Sequence, residues 1–450
     1  MSFTLLRAHS PDGAVALGDA ADGGNRSAAD LARDARAIAQ SIPEASPGSQ
    51  VLVACADRYA FAACLLAAWG RGHGVTLPPN AQERAALDLA AHTSVRAFLH
   101  DDDRAAGTSV LPLLSRHPAP LAKIELEPIE GNRPLVTLFT SGSAGTPRAC
   151  AKTADQLLGE ADMLGSGPCS DLRRIVVTVP AIHIYGLLFG VAVPLLWGGA
   201  FVRRTPLHAE TVALALRSFQ ADGLVTVPAH LRALEVLAPG AIDPGLRVFS
   251  SGAALPPAVG EMLRSRFGVR VTEVLGSSET GGIAKREHAT ARWAPFAGVR
   301  VSAAADGQML LESPFAPPDG PRPLPCADRI EVEADGTFRH LGRADNVVKV
   351  ASKRVDLDEI QRVLVGLPGV VDAAVIAEPT ASARGVSVYA AVVAPTWSPA
   401  TLLAALRDHF DPAVLPRRIV CVAQLPREAT GKLPRERLLA LLRGSHHVET

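Results

Sequence analysis

Cysteine is sparse in this 450-residue chain. There are six in all, Cys55, Cys64, Cys150, Cys169, Cys326 and Cys421, with no C-x-x-C pair and no histidine cluster beside them. That scatter argues against thiolate metal sites and against a disulfide framework. A surplus of one charge is missing too. Lys+Arg and Asp+Glu both number 45, so the formal net charge is zero and nothing points to nucleic acid or an anionic membrane. Only the last fifty residues lean basic, with eight Lys/Arg against five Asp/Glu, which reads as a solvated face or as a docking point for an acidic partner. The N-terminus has no charged stretch leading into an apolar core, so no secretory signal is visible and the cytoplasm is the expected compartment. Internal repeats and low-complexity tracts are also absent.

Long apolar runs are nearly absent as well. Ile175 to Phe201 is the exception, almost wholly apolar and long enough to cross a bilayer, with Arg173-Arg174 before it and Arg203-Arg204 after. A membrane transporter or receptor would have to rest on this segment alone. Pro180, His183, Tyr185, Gly186, Pro194 and Gly198-Gly199 break it up. A buried strand at Ile175–Val179, a loop and a buried helix near Gly186–Trp197 account for it better.

What is present is a globular composition, 48% hydrophobic and 20% charged, in a length suited to about three domains or subdomains. Strand-like runs at Val51–Ala54, Val95–Leu99, Pro134–Phe139, Gly223–Val227, Arg247–Phe249 and Val269–Val274 alternate with helical patterns near Tyr59–Trp69, Leu207–Phe219, Ala229–Leu237 and Pro256–Phe267. Such alternation predicts an α/β fold with parallel, helix-wrapped sheets. From Gly298 to His340 the texture changes to short strands with Asp306-Gly307 and Asp335-Gly336 turns, a small β subdomain. A compact α+β unit follows. Its helix near Asp356–Val365 spaces Leu357, Ile360, Val363 and Leu364 for burial, and strands at Val371–Ile376, Val386–Val393 and Arg418–Val422 surround a helix opened by Ser398-Pro399. The expected division is 1–341, a large N-terminal domain of helix-wrapped sheets plus the β subdomain, and 342–450, a small mobile α+β domain.

Five segments carry the chemistry. Thr140-Ser-Gly-Ser-Ala-Gly-Thr-Pro-Arg148 follows a β-prone run and packs hydroxyls and glycines into one loop, the makings of a phosphate cradle. Phe249-Ser-Ser-Gly-Ala-Ala-Leu255 is a strand end with small residues, against which a flat ring could lie. Glu273-Val-Leu-Gly-Ser-Ser-Glu-Thr-Gly-Gly282 places one carboxylate, Glu279, among hydroxyls and glycines. Leu341-Gly-Arg-Ala-Asp345 sits at the expected boundary, and Arg427-Glu-Ala-Thr-Gly-Lys432 near the C-terminus. In this order and spacing, from about Leu135 to Leu438, the chain resembles the adenylate-forming superfamily of acyl- and aryl-CoA synthetases and related AMP-dependent ligases.

The resemblance implies a set of roles. Thr140, Ser141, Gly142, Ser143, Gly145 and Thr146 would wrap the β- and γ-phosphates of ATP, with Arg148 standing where relatives usually carry Lys. Ser251, Gly252, Ala253 and Ala254 would line the adenine and α-phosphate; Ser277 and Ser278 would add contacts to the nucleotide. Glu279 would hold Mg²⁺, a hard cation suited to carboxylate oxygen. Asp328 would accept from the ribose hydroxyls with help from Arg343, and Lys432 would neutralise charge between the α-phosphate and the attacking carboxylate. Asp345 falls at the hinge position. His183, in Pro180-Ala-Ile-His-Ile-Tyr-Gly186, has two readings: a hydrogen-bonded core residue, or a group that orients the acid or gates its pocket.

The implied reaction joins a carboxylic acid and ATP into an acyl- or aryl-adenylate, then passes the acyl group to a thiol. Val227, Ala229, Val274, Leu275 and Gly276 fall at acyl-pocket positions and suit an aromatic or medium apolar acid. Ala181-Ile-His-Ile-Tyr185 offers no acid to pair with an α-ammonium, which disfavours an amino-acid substrate. The chain departs from its relatives at Ala351-Ser352-Lys353, where a Gly near the pantetheine channel is usual. With the basic C-terminal stretch, this leans the acceptor toward an acyl carrier protein's phosphopantetheine, with free CoA as the alternative. Lys349 and Lys353 have two readings, phosphate or pantetheine contacts and a solvated face.

Overall fold

The computed structural model describes residues 1–80, 82–103, 106–114, 124, 126–141, 147–287, 291–343, 346–350, 353–380, 386–412, 414–428 and 431–444. The chain is mixed α/β and forms two units. One contains Met1–Ala291, Pro295–Val299 and Ser313–Gly320; the other contains Arg292–Ala294, Arg300–Glu312 and Pro321 onward.

In the first unit, Val51, Leu52 and Val53 are wholly buried, as a strand covered on both faces requires. Their strand, Gln50–Ala54, lies between parallel neighbours Gly74–Thr76 and Val95–His100. The sheet continues from Gly74–Thr76 to Pro134–Ser141, which pairs antiparallel with Pro147–Thr153 at the edge. Asp57 caps the helix Arg58–Gly70 through its side chain, and residues all round that helix are buried, so it is a core helix.

Eight neighbouring strands of a second sheet run in the order Gly281–Arg286, Val271–Ser277, Arg247–Ser250, Gly223–Thr226, Arg174–Val177, Ala200–Val202, Ala14–Leu17, Arg26–Ser27. The strands from Val271–Ser277 to Ala14–Leu17 are parallel. Leu224, Val248, Leu263 and Phe267 share one core on a face of this sheet. Ile175–Phe201 resolves into strand Arg174–Val177, helix Ile184–Leu187, a π-helical turn Leu188–Ala192 and helix Val193–Trp197. Among the described residues no helix is long and apolar enough to cross a membrane. The expected helix Ala229–Leu237 opens one residue earlier, at Pro228, whose fixed φ suits the first turn, and it runs to Ala233 before a 3-10 turn at Leu234–Val236. The expected strand at Val269 starts instead at Val271, where pairing with Arg247–Ser250 begins, and runs to Ser277.

In the second unit, Arg300–Ala303, Gln308–Glu312, Leu324–Val332 and Phe338–Arg343 make an antiparallel sheet. Its Asp-Gly turns place Gly307 and Gly336 at φ +82°, which favours glycine. Further along, Asp372–Pro379 pairs antiparallel with Val386–Val393, and Arg418–Cys421 pairs parallel with it. Side chains of Val386–Val393 alternate: Val388, Ala390 and Val392 meet helices Leu357–Gly366 and Pro399–Arg407 in one core. Ala391 and Val393 meet Leu438 and Leu442 of helix Arg435–Gly444 in the other. Ser398 caps helix Pro399–Arg407, as the Ser-Pro signature predicts, and also closes a capping box with Thr401.

Candidate active site

Parallel strands deliver their carboxyl ends to one edge of a sheet, and the segments after them become neighbours however far apart they lie in sequence. Along the second sheet of the first unit this edge collects Ser278–Thr280, Ser251–Ala254, Val227–His230 and Thr178–His183, each following one of four adjacent strands. Two of the five sequence motifs, the Ser251–Ala254 loop and the Glu279 turn, are thereby brought side by side with the His183 segment.

The Ser251–Ala254 loop is tied down from beneath. Ser251 Oγ donates to the Val274 carbonyl at 2.8 Å, and the Leu255 N–H donates to Glu273 Oε2 at 3.0 Å. Glu273 is buried and receives Arg286 through Nε at 2.8 Å and Nη2 at 3.0 Å, so its charge is paired and its oxygens are used. Val274 and Leu275 are half-buried and Gly276 is exposed. Ser277 closes the next turn by hydrogen bonds with Thr280: its N–H donates to Thr280 Oγ1 at 3.1 Å, and Thr280 N–H donates to Ser277 Oγ at 3.1 Å. Glu279 is half-buried at the tip of that turn, beside Ser278.

Behind the turn lies a polar cluster. Lys152 is 1% exposed and donates to the Glu279 carbonyl at 3.1 Å and the Phe315 carbonyl at 2.9 Å. Glu160, 3% exposed, accepts the Gly282 N–H at 2.6 Å. Burial pushes the Glu160 carboxyl up to about 7, against the opposing pull of Lys152 and the Gly282 N–H. Burial likewise lowers the Lys152 ammonium from the ordinary lysine range.

On the other side of the edge, His183 is half-buried and precedes helix Ile184–Leu187. The turn from Pro180 to Gly186 is tight: a Cβ on Gly186 would stand 2.3 Å from the Pro180 carbonyl oxygen, so only glycine fits. Arg58, fully buried, fixes the entry to this turn by donating to the Val179 carbonyl at 2.9 Å and the Val202 carbonyl at 3.0 Å. Thr178 Oγ1 donates to Thr226 Oγ1 at 2.7 Å, so it accepts the Nδ1–H of His230 at 2.8 Å. Burial, aided by His208, holds His230 below the usual imidazole range. Val227 is buried and Ala229 exposed at the start of this helix.

Thr140 and Ser141 end strand Pro134–Ser141, where Thr140 pairs with Arg148 and Ser141 with Pro147. Gly142, Ser143, Gly145 and Thr146, the expected phosphate cradle, lie outside the described residues, as do Asp345 and Ser352. Lys349 and Lys353 belong to the hairpin Val347–Val350 and Lys353–Asp356.

Asp328, Arg343 and Lys432 belong to the second unit. Asp328 is a register partner of Arg343, and its Oδ1 lies 2.7 Å from His340 Nε2. The Arg343 N–H donates to Asp358 Oδ2 at 2.8 Å. Lys432 is exposed, and the Glu428 N–H donates to its carbonyl at 2.8 Å. Gly431, at φ +77°, donates its N–H to the Glu428 carbonyl at 2.8 Å.

The donor set fits a magnesium–nucleotide. Mg²⁺ usually takes one or two carboxylates and completes its shell with phosphate oxygens and water, and Glu279 offers one half-buried carboxylate. Among the described residues no cluster of three or more His, Cys, Asp or Glu could hold an ion by itself. A cation here would come with its phosphates. Glu273, Arg58, Lys152 and Glu160 were not among the residues singled out by sequence. For Glu160 a signal existed: it and Gln156 are polar residues inside the apolar stripe Leu157, Leu158, Ala161 and Leu164.

Residues 7–305 match the AMP-binding enzyme family, and residues 359–432 match the AMP-binding enzyme C-terminal domain. A 4-coumarate–CoA ligase from Rhodobacter capsulatus is 36% identical over 51% of this chain and 57% of its own length. A fatty acid–[acyl-carrier-protein] ligase from Mycobacterium marinum is 28% identical over 68% of each chain. Among solved structures, an amide bond synthetase from Marinactinospora thermotolerans superposes with a TM-score of 0.77 at 23% identity, covering 97% of this chain and 98% of the other.

Proposed function

Because the chain belongs to the AMP-binding enzyme family, we propose that it is an ATP-dependent carboxylate ligase. It joins an acid to AMP with release of pyrophosphate and then passes the acyl group to a phosphopantetheine thiol. The observation that carries this reading is the shared strand edge, which puts the Ser251–Ala254 loop, the Glu279 turn and the His183 segment next to one another. A carboxylate is already charged and needs no base, so the site has to orient it and stabilise charge. In this reading Glu279 holds Mg²⁺, the Thr140–Thr146 loop cradles the β- and γ-phosphates, Asp328 and Arg343 take the ribose, and Lys432 faces the α-phosphate. The bound nucleotide supplies the leaving pyrophosphate, and the cation neutralises it. His183, Val227, Ala229, Val274, Leu275 and Gly276 border the acid. A domain boundary at 341/342 with its hinge at Asp345 belongs to the same reading.

An aromatic or medium apolar acid suits these residues, and the 4-coumarate named for the Rhodobacter relative supports an aryl acid. For the acceptor we favour a carrier protein, because Ser352 replaces the usual Gly and the last fifty residues lean basic. The Mycobacterium relative, named for an acyl-carrier-protein acceptor, is consistent with that. Free CoA is the second reading, since the Rhodobacter relative is named for it. ATP–pyrophosphate exchange across aromatic and aliphatic acids, with no thiol present, tests the first step. Exchange with one acid class supports adenylation and identifies that class; folded, ATP-binding protein that exchanges with none overturns the reading for those acids.

A further inference from the structure

We propose that Lys152 and Glu160, with Gln156, form a buried bracket that sets the pose of the Glu279 carboxylate, which makes them positioning residues for the metal-bearing turn. The inference rests on the assignment of Glu279 to Mg²⁺. One continuous stretch, strand Pro147–Thr153 and helix Ala154–Ser166, supplies every arm. Cys150 Sγ donates to the Ser278 carbonyl at 3.3 Å, Lys152 Nζ to the Glu279 carbonyl at 3.1 Å, and the Gly282 N–H donates to Glu160 Oε1 at 2.6 Å. Three backbone groups between Ser278 and Gly282 are therefore held by one rigid element more than a hundred residues away.

The same element also holds the floor under the turn. Lys152 reaches the Phe315 carbonyl at 2.9 Å, and Gln156 Nε2 donates to the Ala316 carbonyl at 2.8 Å. Gly281 is pressed against this floor at φ +69°. A Cβ there would stand 2.6 Å from Phe315 Cβ and 2.8 Å from Glu160 Oε2. The turn has no room to shift toward the bracket, and its hydrogen bonds oppose a shift away. Glu279 thus leaves the backbone from a fixed point, which matters for a lone carboxylate that must meet a cation carried by phosphates.

Packing alone does not call for such residues. A buried lysine and a buried glutamate each carry a desolvation cost that apolar side chains of similar volume avoid. Their hydrogen bonds go to backbone atoms of the turn and its floor, and this is the arrangement expected where position is what matters.

The test uses the full chain, ATP and Mg²⁺ with no acid present, so that nothing turns over. The readout is the Mg²⁺ concentration that gives half of the Mg²⁺-dependent increase in ATP-induced thermal shift. Lys152→Met and Glu160→Leu should each raise that midpoint about tenfold, the scale of one lost hydrogen bond to a charged group, and leave the shift by ATP alone unchanged. Glu160→Gln, which keeps an oxygen for Gly282, should restore the parent midpoint. Should Lys152→Met not fold, Lys152→Gln keeps one donor and should give a smaller rise. If Glu279→Ala raises the midpoint while folded Lys152 and Glu160→Leu variants match the parent, the bracket is overturned and the metal assignment stands. If Glu279→Ala itself leaves the midpoint unchanged, the metal assignment has failed and the bracket's purpose fails with it.

Discussion

Arg427 grips Asp372 at two points, Nε to Oδ2 at 2.9 Å and Nη2 to Oδ1 at 2.9 Å, and its remaining arm donates to the Gly431 carbonyl at 3.1 Å. Asp372 opens a core strand of the second unit, so this fork fastens the turn before Lys432 to a rigid sheet. Among the described residues, the Glu428–Lys432 and Gly431–Glu428 backbone bonds also close the turn.

Loss of the fork should therefore act on the rate. Arg427→Ala is expected to lower kcat for pyrophosphate exchange by up to about 10²-fold, the scale of a misplaced catalytic group, while KM for the acid changes little. An unchanged kcat in folded protein would show that the turn holds Lys432 without Arg427.

Lys432 itself is exposed, so its removal should leave the fold intact. Lys432→Ala is expected to reduce acid-dependent exchange by about 10²–10³-fold or more, with an unaltered melting temperature. Near-normal exchange would sink its assignment.

Stability should depend on pH through Glu160. Its folded carboxyl sits near 7 against an ordinary 4.5, so the folded state holds the proton more tightly than the unfolded chain. Below 4.5 both states are protonated and the group is neutral toward stability. As pH rises toward 7 the unfolded chain ionises first, and stability falls by at most about 3 kcal/mol, levelling off above. Urea unfolding of the parent and Glu160→Gln at pH 4.5 and 8 should show the variant gaining relative to the parent at the higher pH. A pH-independent difference would contradict this.

The Thr178–Thr226–His230 chain predicts a local cost. Thr178→Val removes both the acceptor for His230 Nδ1–H and the donor to Thr226, in a buried setting. About 1–3 kcal/mol of stability should be lost, read from the urea midpoint at constant slope. A smaller loss would mean that water enters to replace the hydroxyl.

Ser352→Gly addresses the acceptor. If this serine hinders the pantetheine arm of free CoA, the glycine variant should raise CoA turnover several-fold, with exchange in the absence of thiol unchanged. Equal CoA rates would show that the position does not discriminate.

Sequence alone reveals the elements whose signals are local. Ser398-Pro399 marks a helix start, the Asp-Gly pairs mark turns, and the apolar run Val386–Val393 marks a strand. The strand-end motifs are legible for the same reason, since each is a short run of small and hydroxyl residues after an apolar run. The bracket is not. Lys152 meets Glu279 across 127 residues and Phe315 across 163, and no periodicity encodes a contact made by tertiary folding. Arg58 is equally hidden: its shorter bonds go to the backbone carbonyls of Val179 and Val202, which leave no trace in residue identity.

The floor beneath Lys152 also sets an order of events during synthesis. Phe315 and Ala316 belong to Ser313–Gly320, a stretch the first unit receives only after the chain has laid down Arg300–Glu312 for the second. A ribosome adding about 5–20 residues per second needs roughly ten to thirty seconds to travel from Lys152 to Phe315. Throughout that interval the lysine's two carbonyl partners have not both emerged. The nascent first unit must wait in an unfinished state, with this ammonium still in water, until the later stretch arrives to seal it.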